Sequence, residues 1–282
     1  PDGTFGPDKT ITRAEFLKVL FILTNGTGEE SLYAGGSTKY SDVTADKWYA
    51  SYVNWATQLN IVGGYPDGTF KPDDAVKVSE ASKMFVVALG YNAADFTFPY
   101  GFIDRAKKSG LFEDVAGAGA EAAAPRSIIA LMASNFLFVP DAPGYSFWNK
   151  DLEKGPDWDY KAPIAQNFNA EENISVVLGT SNVNPGSISK VNQVAFESLY
   201  GNVGGNWDSA FNCDALIGHV VTVWTNENKT TNKDQIIAVI DEADQAFTVT
   251  SDKIVMATGN TGDLKRYDLY AVVNGKNVAL AY

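Results

Sequence analysis

The sequence predicts an α+β chain in two parts: a helical repeat bundle to about residue 140, then a β-rich half. Two observations predict this. First, Pro1-Asp2-Gly3-Thr4-Phe5-Gly6-Pro7-Asp8 recurs 65 residues later as Pro66-Asp67-Gly68-Thr69-Phe70-Lys71-Pro72-Asp73, with seven of the eight positions identical. Each copy runs into a segment of helical periodicity. Second, past residue 173 the apolar residues come in short β-branched runs: Ile174–Leu178, Val220–Trp224 and Ile236–Ile240. A length of 282 residues is comfortable for two domains.

Each repeat reads as turn, then helix. In Pro-Asp-Gly, proline presets φ, aspartate bonds back to the backbone, and glycine tolerates positive φ. Thr12-Arg13-Ala14-Glu15 is a capping box, and Phe16, Leu17, Val19, Leu20 and Leu23 supply the apolar face behind it. The second copy predicts a helix over about 77–89. It has Lys77 in the place of Thr12 and Val78 in the place of Arg13, but keeps Ala81, Met84, Phe85, Val87 and Ala88. Between the copies, Trp48, Tyr52, Trp55 and Leu59 fall on one helical stripe. Trp48 and Trp55 read first as core residues, with a sugar platform as the alternative for each.

A third, more worn unit follows. Tyr100 to Lys108 is helical in pattern, Gly110-Leu111-Phe112 is an exit, and Ala116–Ala124 is a small-residue linker. Pro125 then opens a helix to about Phe138, proline being favourable in a first turn. Because Pro1-Asp2-Gly3 begins inside a turn, the chain is expected to be a piece of something longer.

Residues 141–172 form an aromatic connector, with Pro143-Gly144-Tyr145, Phe147-Trp148 and Pro156-Asp157-Trp158. Residues 173–282 are the β-rich part. Its strongest local signal is Asn274-Gly275 between Leu269–Val273 and Asn277–Tyr282, a hairpin signature.

Composition excludes several functions. Acidic residues number 34 against 22 basic, a net charge of -12, which argues against a nucleic-acid-binding surface. His219 and Cys213 are the single histidine and cysteine, so there is no disulfide within the chain and no Cys/His zinc cluster. Any Ser-His-Asp site would need His219, which lies in a predicted strand and reads as structural; Cys213 reads as a packed thiol. No catalytic residue is assigned. No apolar run approaches the roughly 20 residues of a membrane span. Asp157-x-Asp159 and Asp241-Glu242-x-Asp244 could lend oxygens to Ca²⁺, but neither matches a calcium loop, so no cofactor is expected and solvated turns are the default. The acid excess lies mainly in the second half: 16 acidic and 12 basic residues in 1–140, against 18 and 10 in 141–282.

Tyr40-Ser41-Asp42-Val43, Trp48, Ile61 through Phe70, and Ile11 through Glu15 together resemble the S-layer homology family. The first repeat (1–25) is present from its turn onward, and the second (39–90) matches nearly throughout. The third (99–138) matches mainly through Ala106 to Leu111 and Pro125-Arg126-Ser127. The resemblance implies a pseudo-threefold bundle of three repeats. It also implies binding of secondary cell-wall polysaccharide in the grooves between them, often through a pyruvylated mannosamine-type sugar, and hence an extracellular, cell-wall location. Carried across, the groove residues are Arg13, Asp42, Trp48, Gly64 and Tyr65, with Arg126 at the arginine position of the third unit. A guanidinium matches a ketal carboxylate bidentately, and an indole face covers sugar C–H groups. Val78 leaves the second arginine position empty unless Lys77 or Lys83 substitutes. Leu216 through Trp224 is similar, more weakly, to a small β domain seen after such repeats in surface proteins. The expected function is a non-enzymatic cell-surface structural protein, a self-assembling S-layer or filament subunit anchored by its repeats. The alternative is purely an anchoring module of a larger surface protein or enzyme.

Overall fold

The computed structural model describes residues 4–25, 30–34, 36–117, 119–139, 162–183, 188, 193–198, 205–209, 211–228, 233–242, 254–261, 264–273 and 276–281. Residues 1–169 and 170–282 are separate compact units.

The first unit is organised by three short extended segments, each leading into a helix: α1 (Arg13–Asn25), α3 (Val78–Ala88) and α5 (Arg126–Phe138). The segments bridge one another in a closed ring, Thr10 with Pro125, Thr12 with Ala75, and Lys77 with Ala123. The ring answers a local need, because the first amides of a helix have no partner inside it. The first amide of each helix donates to a neighbouring segment: Arg13 to the Asp74 carbonyl (2.9 Å), Val78 to Ala122 (3.0 Å) and Arg126 to Lys9 (2.8 Å). The next amides repeat the pattern, Ala14 to Pro72 (3.0 Å), Ser79 to Ala120 (2.9 Å) and Ser127 to Pro7 (3.0 Å). Glutamates finish two of the caps, Glu15 accepting from the Thr12 amide at 2.9 Å and Glu80 from the Lys77 amide at 3.0 Å.

The helix faces behind the caps make one core. Phe85 on α3 meets Phe16 on α1 at 5.0 Å between ring centroids and Phe136 on α5 at 5.5 Å. α2 (Ala50–Gln58) adds Trp55, fully buried against Phe21, and α4 (Tyr100–Lys108) adds Phe102 and Ala106. Most of the expected connector lies outside the described residues. Its end forms α6 (Pro163–Asn167), which packs on α1 with Asn167 donating to the Leu23 carbonyl at 2.9 Å.

Trp48 corrects the reading of the stripe. It precedes α2 in a turn held by Lys47 to Thr44 and Ala50 to Lys47 backbone bonds, and it is 55% exposed. Trp48 is therefore neither helical nor core; its ring lies edge-on to Tyr49 and Tyr52 at the surface.

The second unit contains a closed five-stranded barrel of β1 (Glu171–Thr180), β2 (Gln193–Ser198), β3 (Gly205–Ser209), β4 (Val220–Asn228) and β5 (Lys233–Asp241), in the order β1-β2-β3-β5-β4. All neighbours are antiparallel except β3 with β5. Inward positions alternate, as in Val194/Phe196 and Val221/Val223, with Val177, Ile236 and Cys213 completing the core. Within the run Ile174–Leu178, β1 buries Ser175 and Val177, while Ile174 and Leu178 are exposed. A separate antiparallel sheet holds β6 (Ile254–Thr261), β7 (Leu264–Val273) and β8 (Lys276–Ala281). β7 and β8 pair as the hairpin signal predicts, although Asn274 and Gly275 themselves lie outside the described residues.

Of the calcium candidates, Asp157, Asp159 and Asp244 lie outside the described residues. Asp241 faces His219 Nδ1 at 3.1 Å and Glu242 accepts from the Thr222 hydroxyl at 2.6 Å. Among the described residues no group of three His, Cys, Asp or Glu side chains could hold a metal, and no helix is long and apolar enough to cross a membrane.

Candidate ligand-binding cleft

Between α1, α3 and the 61–65 segment lies a cleft of about 250 Å³, lined by Arg13, Gly63, Gly64, Tyr65, Glu80, Lys83, Met84 and Phe98 among others. The turn that shapes it is fixed from within. The Tyr65 amide donates to the Thr69 carbonyl at 2.8 Å, and Asp67 accepts from the Thr69 amide at 3.0 Å. Asp42 reaches in from 28 residues away and accepts from the Phe70 and Lys71 amides at 2.8 and 2.7 Å. Gly64 has φ +72, and a Cβ there would overlap the Tyr40 ring and the Thr69 carbonyl, so the position needs glycine on both counts.

Arg13 is buried. Its Nε donates to the Phe70 carbonyl at 3.0 Å and its Nη1 pairs with Glu80 at 2.9 Å. The guanidinium also lies over the Phe70 and Tyr65 rings at 4.7 and 4.9 Å from their centroids. Glu80 is thus both helix cap and cleft residue, and its Oε1 also accepts from the Tyr65 hydroxyl at 2.7 Å. Burial, and then this hydrogen bond, push the Tyr65 phenol up to about 12, so it stays a donor.

Lys83 is the different cation. It is half-buried, and among the described residues it pairs with no carboxylate. Burial chiefly, and repulsion from Arg13 secondarily, lower its pKa. Arg13 and Lys83 against Glu80 leave the cleft one positive charge in excess. Phe98, half-exposed on the rim, supplies an apolar surface.

The structure therefore brings Arg13, Gly64 and Tyr65 into one cleft. Asp42 stands behind it as the brace of the turn, and Trp48 is not among the lining residues. Arg126 lies elsewhere, over the Phe5 ring at 5.3 Å, which repeats the Arg13–Phe70 arrangement one unit on. Its Nε is buried without a hydrogen-bond partner among the described residues. Lys77, the other candidate substitute, pairs with Glu121 at 2.8 Å, and of the two lysines it is Lys83 that lines the cleft. The sequence does not mark Glu80 or Phe98 as site residues: a cap and a loop aromatic carry no signal of a shared cleft.

The profile of the S-layer homology domain matches residues 1–17 and 39–81, which hold Arg13, the 61–70 turn and Glu80. The chain carries an S-layer homology domain. A surface layer protein of Brevibacillus choshinensis is 46% identical over 90 residues, 32% of this chain and 8% of that protein. A cellulosome-anchoring protein of Acetivibrio thermocellus is 39% identical over 80 residues, 28% of this chain and 18% of that protein. An endo-1,4-beta-xylanase A of Thermoanaerobacterium saccharolyticum is 34% identical over 83 residues, 29% of this chain and 7% of that enzyme. The chain spans less than a fifth of the length of each. The S-layer homology match indicates a cell-surface or cell-wall location. The match ends at residue 81; the segment before α5 is joined to those before α1 and α3 by the backbone bridges.

Proposed function

We propose that the S-layer homology part of this chain attaches a bacterial surface protein to cell-wall polysaccharide, and that the α1–α3 cleft takes an anionic glycan unit. The observation that carries the reading is the state of Lys83, a half-buried ammonium with no salt-bridged carboxylate among the described residues, set beside a buried, oriented guanidinium and an aromatic rim. A carboxylate-bearing sugar fits that set: the charge meets Lys83, a remaining Arg13 N–H can donate to it, and the ring's C–H face lies on Phe98. The repeated backbone bonds of α1, α3 and α5 support a pseudo-threefold relation among three units, of which this cleft is one groove. The units are read as repeats 1–25, 39–90 and 99–138 of a helical part, followed by a β-rich part. In this reading the chain is non-catalytic, and similarity to a xylanase reflects shared attachment. Co-sedimentation with purified walls tests it: binding before, and none after, removal of the secondary polymer supports the reading, and equal binding to both overturns it.

Similarity to a surface layer protein favours a second, compatible role as a self-assembling lattice or filament subunit. Electron microscopy of the purified chain should then show ordered arrays or fibres. A persistent monomer at high concentration, with and without Ca²⁺, contradicts it.

A further inference from the structure

The loops at one end of the barrel form a second cleft, of about 230 Å³, between the end of β1, the start of β2, the end of β3 and the 211–214 segment. Its chemistry differs from that of the helical cleft. Asp214 is pinned through both oxygens: the Thr180 hydroxyl donates to Oδ1, and Asn182 Nδ2 donates to Oδ2 at 3.2 Å. Thr180 is itself buried and held by the Asn182 and Val183 amides at 3.3 and 3.1 Å. A carboxylate offers about four acceptor sites, so a fixed acceptor still faces the cleft. Gln193 also lines the cleft, its side-chain amide donating to Asp208 at 2.9 Å; among the described residues its side-chain carbonyl and second N–H have no other partner and can serve a ligand. At the mouth, Phe211 is 47% exposed, its backbone clamped at both ends by the Ser209 hydroxyl.

A pinned acceptor, amides that both donate and accept, and a water-exposed aromatic ring, with no cation among the described lining residues, favour a neutral guest over an anionic one. One carboxylate with its lone pairs partly spent does not make a metal site. We propose that this cleft binds a neutral saccharide unit, its hydroxyls donating to Asp214 and exchanging hydrogen bonds with Asn182 and Gln193, its C–H face on Phe211. The site is distinct from the helical cleft: it lies in the other unit, and the charge among its described lining residues is that of Asp214.

Saturation-transfer NMR of the full chain with methyl glucoside, methyl mannoside and N-acetylglucosamine tests this, in a Lys83→Ala background that disables the helical cleft. At least one sugar should show transfer, weakened about fivefold in Phe211→Ala, the size expected from losing one aromatic contact. Gln193→Ala, which leaves the aromatic ring in place, should weaken it as well. No transfer to any of the three sugars, or transfer that both variants retain, overturns the assignment.

Discussion

Arg13 and Lys83 share a cleft, but the structure holds them in different chemical states. Arg13 is committed to Glu80, Phe70 and two rings, so its first role is to orient the cleft walls. Arg13→Ala should cost about 3 kcal/mol in urea unfolding, because Glu80 is left largely buried with its charge uncompensated. The Tyr65 phenol gives a pH signature. Its pKa is raised from 10.0 to about 12, so the folded chain holds that proton more tightly than the unfolded one. The stability it contributes is complete below pH 10 and is lost as pH rises to about 12. Tyr65→Phe should lose less stability than the parent over that window, as measured by paired denaturant titrations. Lys83 has the opposite sign. Its lowered pKa means that the unfolded chain holds the proton more tightly, so losing it on raising pH favours the fold even as it removes the cleft's charge.

At the scale of elements, the 61–70 turn depends on Asp42. Asp42→Ala should cost about 3 kcal/mol, two backbone amides losing a charged acceptor, and should loosen the cleft without touching a ligand. Thermal melts together with hydrogen exchange at Phe70 and Lys71 would show it. This element also shows what the sequence makes legible. Turn, cap and apolar stripe located α1, α3, α4 and α5 to within a residue or so, since each signal is local. Trp48 failed because stripe arithmetic counts spacing and cannot see the turn that delays α2 to Ala50. β2 and β3 carried too little signal, Gln193–Ser198 and Gly205–Ser209 being short and mixed, with their apolar side chains buried only by barrel closure. Arg13, Gly64 and Tyr65 are named by the resemblance to the S-layer homology family and not by the internal repeat, which has Val78 in the place of Arg13. The pairing that makes Arg13 a wall residue joins it to Glu80, 67 positions away, and no spacing rule reports that.

For the helical unit as a whole, the ring of backbone bonds and the Phe16–Phe85–Phe136 cluster tie α1, α3 and α5 together. Phe85→Ala should cost about 4 kcal/mol, and this unit should still unfold in one step, because the side chain serves all three helices at once. Helical signal lost in two stages would show that the ring does not couple the units. The charge distribution agrees with an attachment role for this part: the repeats carry a smaller acid excess than the β half, and the cleft carries a local positive one.

The central claim is that Lys83 makes the α1–α3 cleft a receptor for an anionic wall glycan. The most direct measurement is the affinity of the purified chain for wall polysaccharide, comparing the parent with Lys83→Ala and with Trp48→Ala. Loss of one charge-assisted contact predicts an affinity about tenfold weaker for Lys83→Ala. Trp48→Ala, outside the cleft lining, should bind as the parent does. Unchanged binding by Lys83→Ala, with loss on Trp48→Ala, would contradict the account and move the receptor site to the exposed indole.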